Sequence, residues 1–425
     1  MLAATSVILA SVLLFSSLVP QRSTRAVVDD QSSAVSASSS SSRADDASNA
    51  SNLEQFNLLR RRGNDALYNL DYETAGGLFQ QMTKLLPDHP AGYVYLANNF
   101  WLETLNQGRR LSSTLYSGGS FYEQDQDQDK VDPKREAAFN GLVRRAIAIA
   151  EFRLKKNPND AESLYFKGAA LGLRAGYNVT VKRSFRRAIG DANESIIIQK
   201  KVVKIDPEYV DAYLSIGLYD YIVASLPWVW RTLAKLAGVS GSKERGIERL
   251  EMVTRNGKYT ADDARVLLIG IYTREGRPER ALEMITYLAN KYPRNYLLGV
   301  ERAGMLFRMN RPAEGDKGYG ELLKDERVAH AAADLVNYQW GEALFAGSEF
   351  ARAVDRYAEV VKWPKSDQSL VSLAHLRKGQ ALDALGKREE AIAEYQVVLK
   401  RENVFDSHKR AGEFLNKPYA PAKSS

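Results

Sequence analysis

Apolar side chains recur at helical spacing along most of the chain, and small residues alternate with large ones in a fixed order. The clearest unit lies at residues 372–400, where two amphipathic helices are joined at Gly386. Gly379 in the first helix allows the two helices to approach, and Tyr395 in the second faces back across the turn. Such a pair cannot bury its apolar face alone, so the pattern predicts similar neighbours stacked on both sides.

The same small-to-large pattern recurs along the chain; Ala97, for example, follows Gly63 by 34 residues. Eight units can be counted between residues 53 and 415, and insertions interrupt the second, third and fourth of them. Runs in which β-branched residues alternate with polar ones are almost absent. The sequence therefore predicts an all-α chain, built as an α–α superhelix of about eight helix–turn–helix repeats.

The unit at 372–400 resembles the tetratricopeptide repeat (TPR). Positions 8, 11, 15, 20 and 24 of that repeat are filled here by Gly379, Leu382, Gly386, Ala391 and Tyr395. The resemblance implies a TPR solenoid with a role in protein–protein binding. It also implies that positions 2, 5, 9, 12 and 13 of each first helix line the concave side.

Residues 157–293 resemble a narrower group, the tetratricopeptide repeat family 39, which is also linked to the clearance of inclusion bodies. The block from Gly217 to Glu251 carries a Leu-Pro-hydrophobic insertion and a Gly-Val-Ser-Gly turn in matching places, and the similarity continues from Leu267 to Ile285. That family includes a eukaryotic protein linked to lipid droplets. The resemblance implies an interaction scaffold with a link to lipid surfaces, and it transfers no catalytic residue.

The segment before the repeats has a different composition. Residues 2–19 are apolar or small throughout, and Pro20 ends the run. We predict that residues 1–26 form a signal peptide or a membrane anchor, with cleavage and retention both open. The protein is then exported or tethered to the membrane, and periplasmic if the source is bacterial. The remaining chain is predicted as a Ser-rich disordered linker at 27–52, a TPR solenoid at 53–415 and a disordered tail at 416–425.

Composition and motifs count against an enzyme. The chain of 425 residues has no cysteine, which excludes disulfides, thiolate metal sites and cysteine nucleophiles. Its four histidines are well separated in sequence, and neither a nucleophile elbow nor a phosphate-binding glycine loop is found. We therefore predict a non-enzymatic protein without a metal site or a cofactor. The net charge of +7 favours acidic partners weakly and does not indicate specific nucleic-acid binding.

The positions expected on the concave side carry few charges. An exposed apolar strip of this length is a liability in a monomer, so something should cover it. Either an apolar helix or extended peptide of a partner protein fills it, or the chain's own insertions do. The sequence leaves both alternatives and the oligomeric state open. The predicted partner-binding groove consists of Tyr165, Leu214, Leu218, Tyr221, Val300, Phe307, Tyr338 and Phe345.

The insertion in the fourth repeat, from Leu226 to Ala237, combines tryptophans with basic residues. It either packs against the solenoid or lies on a membrane interface. The alternative function is therefore a membrane- or lipid-surface adaptor that uses this insertion together with basic helices. The candidate membrane-interface residues are Trp228, Trp230, Arg231 and Lys235.

Overall fold

A computed structural model describes most of the chain after residue 40. The described residues are 41–108, 111, 132–182, 184–228, 231–232, 235 and 240–421. Within these ranges the chain forms eighteen α helices and one short 3-10 helix, and no strand occurs among them. The predicted signal peptide or anchor at 1–26 lies outside the described residues. No helix in the described part is long and apolar enough to cross a membrane.

The helices follow one another as pairs, in the order that the sequence pattern predicts. Repeats 1 to 4 consist of α1 (Ser41–Tyr68), α2 (Tyr72–Leu85), α3 (Pro90–Gln107), α4 (Pro133–Lys156), α5 (Ala161–Thr180), α6 (Phe185–Ile205), the 3-10 helix (Val210–Ala212), α7 (Tyr213–Ala224) and α8 (Lys243–Asn256). Repeats 5 to 8 consist of α9 (Ala261–Arg274), α10 (Pro278–Lys291), α11 (Tyr296–Arg308), α12 (Pro312–Lys324), the short α13 (Glu326–Ala331), α14 (Ala333–Ala346), α15 (Phe350–Lys362), α16 (Gln368–Ala384) and α17 (Arg388–Leu399). A final helix, α18 (Ser407–Asn416), caps the array.

Local capping explains where several helices begin and end. At the start of α5, the side chain of Asp160 accepts a hydrogen bond from the backbone N–H of Ser163 at 3.1 Å. Proline occupies the first turn of α3, α4, α10 and α12. A backbone N–H at that position would have no acceptor within the helix, so the lack of one in proline costs no hydrogen bond. The turn between α16 and α17 contains Gly386 with a φ of 76°, a conformation that glycine adopts without strain.

Small residues facing large rings hold several of the helix pairs together. A Cβ on Gly379 would lie 2.5 Å from the ring of Tyr395, and a Cβ on Gly341 would lie 2.6 Å from the ring of Tyr357. Both tyrosines are fully buried. The close approach that brings each ring over the opposite helix therefore requires glycine, and the small-to-large prediction is confirmed.

The repeats stack through their first helices as well as through their hairpins. Helix α3 contacts α5, α11 contacts α14, and α14 contacts α16. One cluster of buried apolar side chains extends from Phe56 in repeat 1 to Ala381 in repeat 8. The all-α solenoid predicted from the repeat spacing is therefore confirmed, and neighbouring repeats share buried apolar side chains.

The first helix begins earlier than the sequence pattern indicates. Helix α1 starts at Ser41, inside the range predicted as a disordered linker at 27–52. Residues 41–50 include Ala44, Ala47 and Ala50. Once the amphipathic part of α1 has formed, each further residue adds one backbone hydrogen bond, and alanine propagates a helix well. The linker prediction is therefore wrong for residues 41–52, and residues 27–40 lie outside the described residues.

Candidate protein-binding inner face

We call the surface formed by positions 2, 5, 9, 12 and 13 of the first helices the inner face. Most of the residues predicted to line a groove there are covered in the structure. Leu214 and Phe307 are half-buried. Phe307 lies against Gly315 and Tyr319 of its own return helix. The remaining six are buried: Tyr165, Leu218, Tyr221, Val300, Tyr338 and Phe345.

Repeat 1 covers part of this face by touching repeats 5 and 6. The ring of Tyr68 stacks on Tyr292, with centroids 4.6 Å apart, and its hydroxyl donates to Asp263 Oδ1 at 2.6 Å. The side-chain amide of Asn295 donates to the carbonyl of Tyr68 at 2.7 Å, and the backbone N–H of Arg294 donates to Asn69 Oδ1 at 3.1 Å. We call these interactions the closure contact.

Burial dominates the electrostatics of the closure contact. It raises the pKa of Asp263 to about 6, because the ionised carboxylate has lost most of its water. The pKa of Tyr68 is also raised well above its usual value, first by burial and then by the nearby carboxylates. The tyrosine hydroxyl therefore stays protonated and can donate to Asp263 throughout the physiological range.

A second layer of aromatic and basic side chains fills the space beside the closure contact. Arg60 is only 6% exposed, and its guanidinium lies 4.8 Å from the ring centroid of Tyr259. Tyr165 packs against Tyr209 and Tyr259, at centroid distances of 5.0 and 6.0 Å. Asp211 fixes the loop before α9 by accepting from three of its backbone N–H groups. The chain's own side chains thus occupy the inner face across the first five repeats.

The inner face of repeats 7 and 8 is covered differently, by residues 417–421, which we call the C-terminal segment. The backbone N–H of Tyr419 donates to Asp383 Oδ2 at 2.8 Å. Its ring lies 5.7 Å from that of Phe345, and the guanidinium of Arg377 lies 4.7 Å from the same phenylalanine ring. These residues fall in the range 416–425 that the sequence predicts as a disordered tail, and the bond to Asp383 and the ring contact hold Tyr419 on the repeats.

The insertion in repeat 4 places two of the membrane candidates beside an exposed tryptophan. Trp228 is 73% exposed, and Arg231 and Lys235 are exposed as well. The backbone N–H of Arg231 donates to the carbonyl of Pro227 at 3.0 Å, which marks a helical turn. In a helix, spacings of three and seven residues place these three positions on one face. Trp230, the fourth candidate, lies outside the described residues.

Ionisable groups elsewhere pair across helices. His89 Nε2 lies 3.3 Å from Glu162 Oε2, and His375 Nδ1 lies 2.5 Å from Glu394 Oε2, so each histidine faces a single carboxylate. In the part of the chain that the structure describes, no group of three or more His, Asp or Glu side chains could hold a metal ion. The histidine pairs therefore join neighbouring helices.

The hairpin geometry and a comparison with known families agree on the type of repeat. The family model for the tetratricopeptide repeat matches residues 373–402, which include most of α16 and all of α17. The repeated unit of the chain is therefore the tetratricopeptide repeat. No curated protein matches this TPR chain, so the narrower resemblance of residues 157–293 to family 39 stays a prediction.

Several solved structures are similar to the TPR chain. A thermophilic TPR protein from Thermus thermophilus is 17% identical over 59% of this chain and 98% of its own, with a TM-score of 0.33. Yeast Tom70 is 12% identical over 83% of this chain and 86% of its own, with a TM-score of 0.41. Human IFIT1, in a dimer with m7Gppp-AAAA, is 13% identical over 85% of each chain, with a TM-score of 0.42.

Sequence reasoning missed the residues that close the inner face, although a signal for them exists. Counted from Gly63 at position 8, Tyr68 stands at position 13 of repeat 1; in the phase of repeat 5, Asp263 stands at position 2. Both are inner-face positions, so reading those positions in every repeat identifies the two residues. Tyr419 has no such signal, because it follows the last repeat.

Proposed function

We propose that this TPR protein is a non-enzymatic scaffold that binds a segment of a partner protein at the inner face of repeats 7 and 8. One observation carries the proposal: this part of the inner face already accommodates an extended piece of polypeptide, the C-terminal segment. Of the predicted groove residues, Tyr338 and Phe345 belong to this part. The TPR fold supports the same role, because such arrays present extended surfaces for protein binding.

The two covered parts of the inner face differ in how firmly they are held. The closure contact combines three hydrogen bonds with a stacked pair of rings. The C-terminal segment is attached through the N–H of Tyr419 and the contacts of its ring, and Pro418, Ala420 and Pro421 are exposed. One neutral-to-charged hydrogen bond and two ring contacts stabilise a segment by roughly 2–4 kcal/mol. A partner can exchange with such a segment far more easily than it can open the closure contact.

Site-specific photocrosslinking in the native host tests the scaffold function. A photoreactive residue at Ala346, which is exposed beside Phe345, should crosslink to a defined protein identified by mass spectrometry. The same residue at Lys362, 70% exposed at the end of α15, should not crosslink to that protein. The Tyr338→Ala plus Phe345→Ala variant should lose the crosslink while keeping its helical circular dichroism spectrum.

A matched variant makes this test specific. Phe152 is 57% exposed on the return helix α4, so Phe152→Ala removes an aromatic ring far along the chain from repeats 7 and 8. It should leave the crosslink at Ala346 unchanged. Equal crosslinking from Ala346 and Lys362, or an unchanged crosslink in the double variant, contradicts the proposal.

The exposure of Trp228 favours a second candidate function, a membrane-surface adaptor. A tryptophan that is 73% exposed and shares a helical face with Arg231 and Lys235 fits the headgroup region of an anionic bilayer. Residues 41–425 should then float with liposomes containing anionic lipid. Trp228→Ala should abolish flotation, and Phe152→Ala should not. Absence of flotation for the unmutated residues 41–425 contradicts this second function and leaves the scaffold function untouched.

A further inference from the structure

The C-terminal segment lies on repeats 7 and 8 in the manner of a bound peptide. After α18 ends at Asn416, the backbone of Lys417 is extended, with φ −136° and ψ 122°. Pro418 follows, and proline both favours an extended preceding residue and lacks an N–H of its own. The first backbone donor after Lys417 is therefore Tyr419, and its N–H reaches Asp383 Oδ2 at 2.8 Å.

Three separate elements form the surface that receives Tyr419. Phe345 at the end of α14 and Phe414 in α18 both face its ring, at centroid distances of 5.7 and 5.6 Å. Asp383 near the end of α16 accepts its N–H. An aromatic ring and the backbone next to it are thus recognised together, which combines a main-chain hydrogen bond with a side-chain contact as peptide-binding domains do.

The receiving surface is arranged by contacts that do not involve the segment. The side chain of Asp383 is 1% exposed, and it also accepts from Arg388 at 3.0 Å and from the hydroxyl of Tyr395 at 2.8 Å. Arg388 donates further to the carbonyls of Phe414 and Leu415, each at 2.8 Å, at the end of α18. Because these bonds fix the carboxylate and α18, the surface stays formed when the segment leaves, and binding there needs little ordering.

We propose that the surface formed by Phe345, Asp383 and Phe414 is a peptide-binding site for an extended partner segment in which an aromatic residue follows proline. Residues 417–421 carry this same chemistry and occupy the site until a partner displaces them. The inference rests on the proposed function. It adds the sequence class of the partner segment, and it identifies residues 417–421 as the competitor of that segment.

A labelled copy of residues 416–425 serves as the probe, with fluorescence anisotropy as the readout. The full chain carrying Tyr419→Ala has an empty site and should bind the peptide with a dissociation constant below about 1 mM. The unmutated chain should bind at least about tenfold more weakly, because its own segment competes at an effective concentration in the millimolar range. A peptide with the Tyr419→Ala change should not bind either chain.

A change on the receiving side completes the test. Phe345→Ala in the Tyr419→Ala chain should lower peptide affinity about tenfold, the loss expected for one aromatic contact. Phe152→Ala in the same background should leave the affinity unchanged. Absence of saturable binding by the Tyr419→Ala chain, or equal binding of the two peptides, overturns the inference. If the peptide fails to bind but the crosslink at Ala346 persists, the inference is wrong and the proposed function stands; if both are absent, both are wrong.

Discussion

The hydroxyl of Tyr68 donates a hydrogen bond to Asp263 at 2.6 Å, although 195 residues separate the two in sequence. Tyr68 ends the first helix of repeat 1, and Asp263 lies in the first turn of repeat 5. The bond therefore joins two inner-face positions that four repeats of stacking bring together. This contact covers the inner face in the first half of the chain and leaves repeats 7 and 8 as the place where a partner segment is easiest to accommodate.

Removing the hydroxyl of Tyr68 should weaken the closure contact without removing the stacked ring. Tyr68→Phe leaves the buried carboxyl of Asp263 without this donor, which should lower the free energy of unfolding by about 1–3 kcal/mol. Urea denaturation measures the change. Tyr287→Phe is the control, because Tyr287 is 45% exposed, and it should stay within about 0.5 kcal/mol of the unmutated chain. Equal effects of the two substitutions would show that the bond does not stabilise the fold.

The carboxyl of Asp263 should make stability depend on pH in a defined direction. Burial raises its pKa to about 6 in the folded chain, whereas an unfolded chain has a value of about 4. Between these values the folded chain binds more protons than the unfolded one. The free energy of unfolding contributed by this group is therefore largest below pH 4, falls as the pH rises through 6, and is constant above that.

Asp263→Asn tests this direction, because asparagine cannot ionise and its carbonyl still accepts from Tyr68. Relative to the unmutated chain, the variant should gain stability between pH 4 and pH 7, by an amount on the order of 3 kcal/mol. All other titrating groups are common to both chains and cancel in the difference. Urea denaturation at pH 4.5, 6 and 7.5 measures it. A difference that stays the same at all three pH values contradicts the assignment.

The repeats could be predicted from sequence, whereas the closure contact could not. The contact between Gly379 and Tyr395 lies within one hairpin, so the spacing of the two residues specifies it directly. The bond between Tyr68 and Asp263 depends on the small rotation between successive repeats, summed over four of them. A periodic sequence pattern does not specify this summed rotation. The position of Tyr419 depends on the path of the chain after the last helix, which lies outside the repeat altogether.

Substituting alanine for glycine should change the free energy of unfolding in opposite directions at Gly379 in repeat 8 and at Gly270 in repeat 5. At Gly379 a Cβ would meet the buried ring of Tyr395 at 2.5 Å, so Gly379→Ala should lower the free energy of unfolding by about 1–3 kcal/mol. At Gly270, inside α9, a Cβ would meet nothing within 4 Å, so Gly270→Ala should raise it by about 0.5–1 kcal/mol. Thermal and urea denaturation measure both. Two changes of the same sign would contradict the close packing at Gly379.

The carboxylate of Asp211 should be required for the loop that Arg60 contacts. Asp211 is 4% exposed and accepts from the backbone N–H groups of Lys258, Tyr259 and Thr260 at 2.8–3.0 Å. Asparagine offers one acceptor oxygen instead of two and turns an N–H₂ group towards a backbone donor. Asp211→Asn should therefore cost about 2–3 kcal/mol of stability. Hydrogen exchange should rise first at residues 258–260.

The same substitution a few residues earlier is the matched control for Asp211. The side chain of Asp206 accepts from the backbone N–H of Glu208, at 3.0 Å, in a turn that asparagine forms equally well. Asp206→Asn should therefore stay within about 0.5 kcal/mol of the unmutated chain and leave exchange at 258–260 unchanged. If Asp211→Asn behaves like this control, the three backbone bonds do not hold the loop. The guanidinium of Arg60 would then lack a fixed ring of Tyr259 to stack on, and the filling of the inner face beside the closure contact would need another cause.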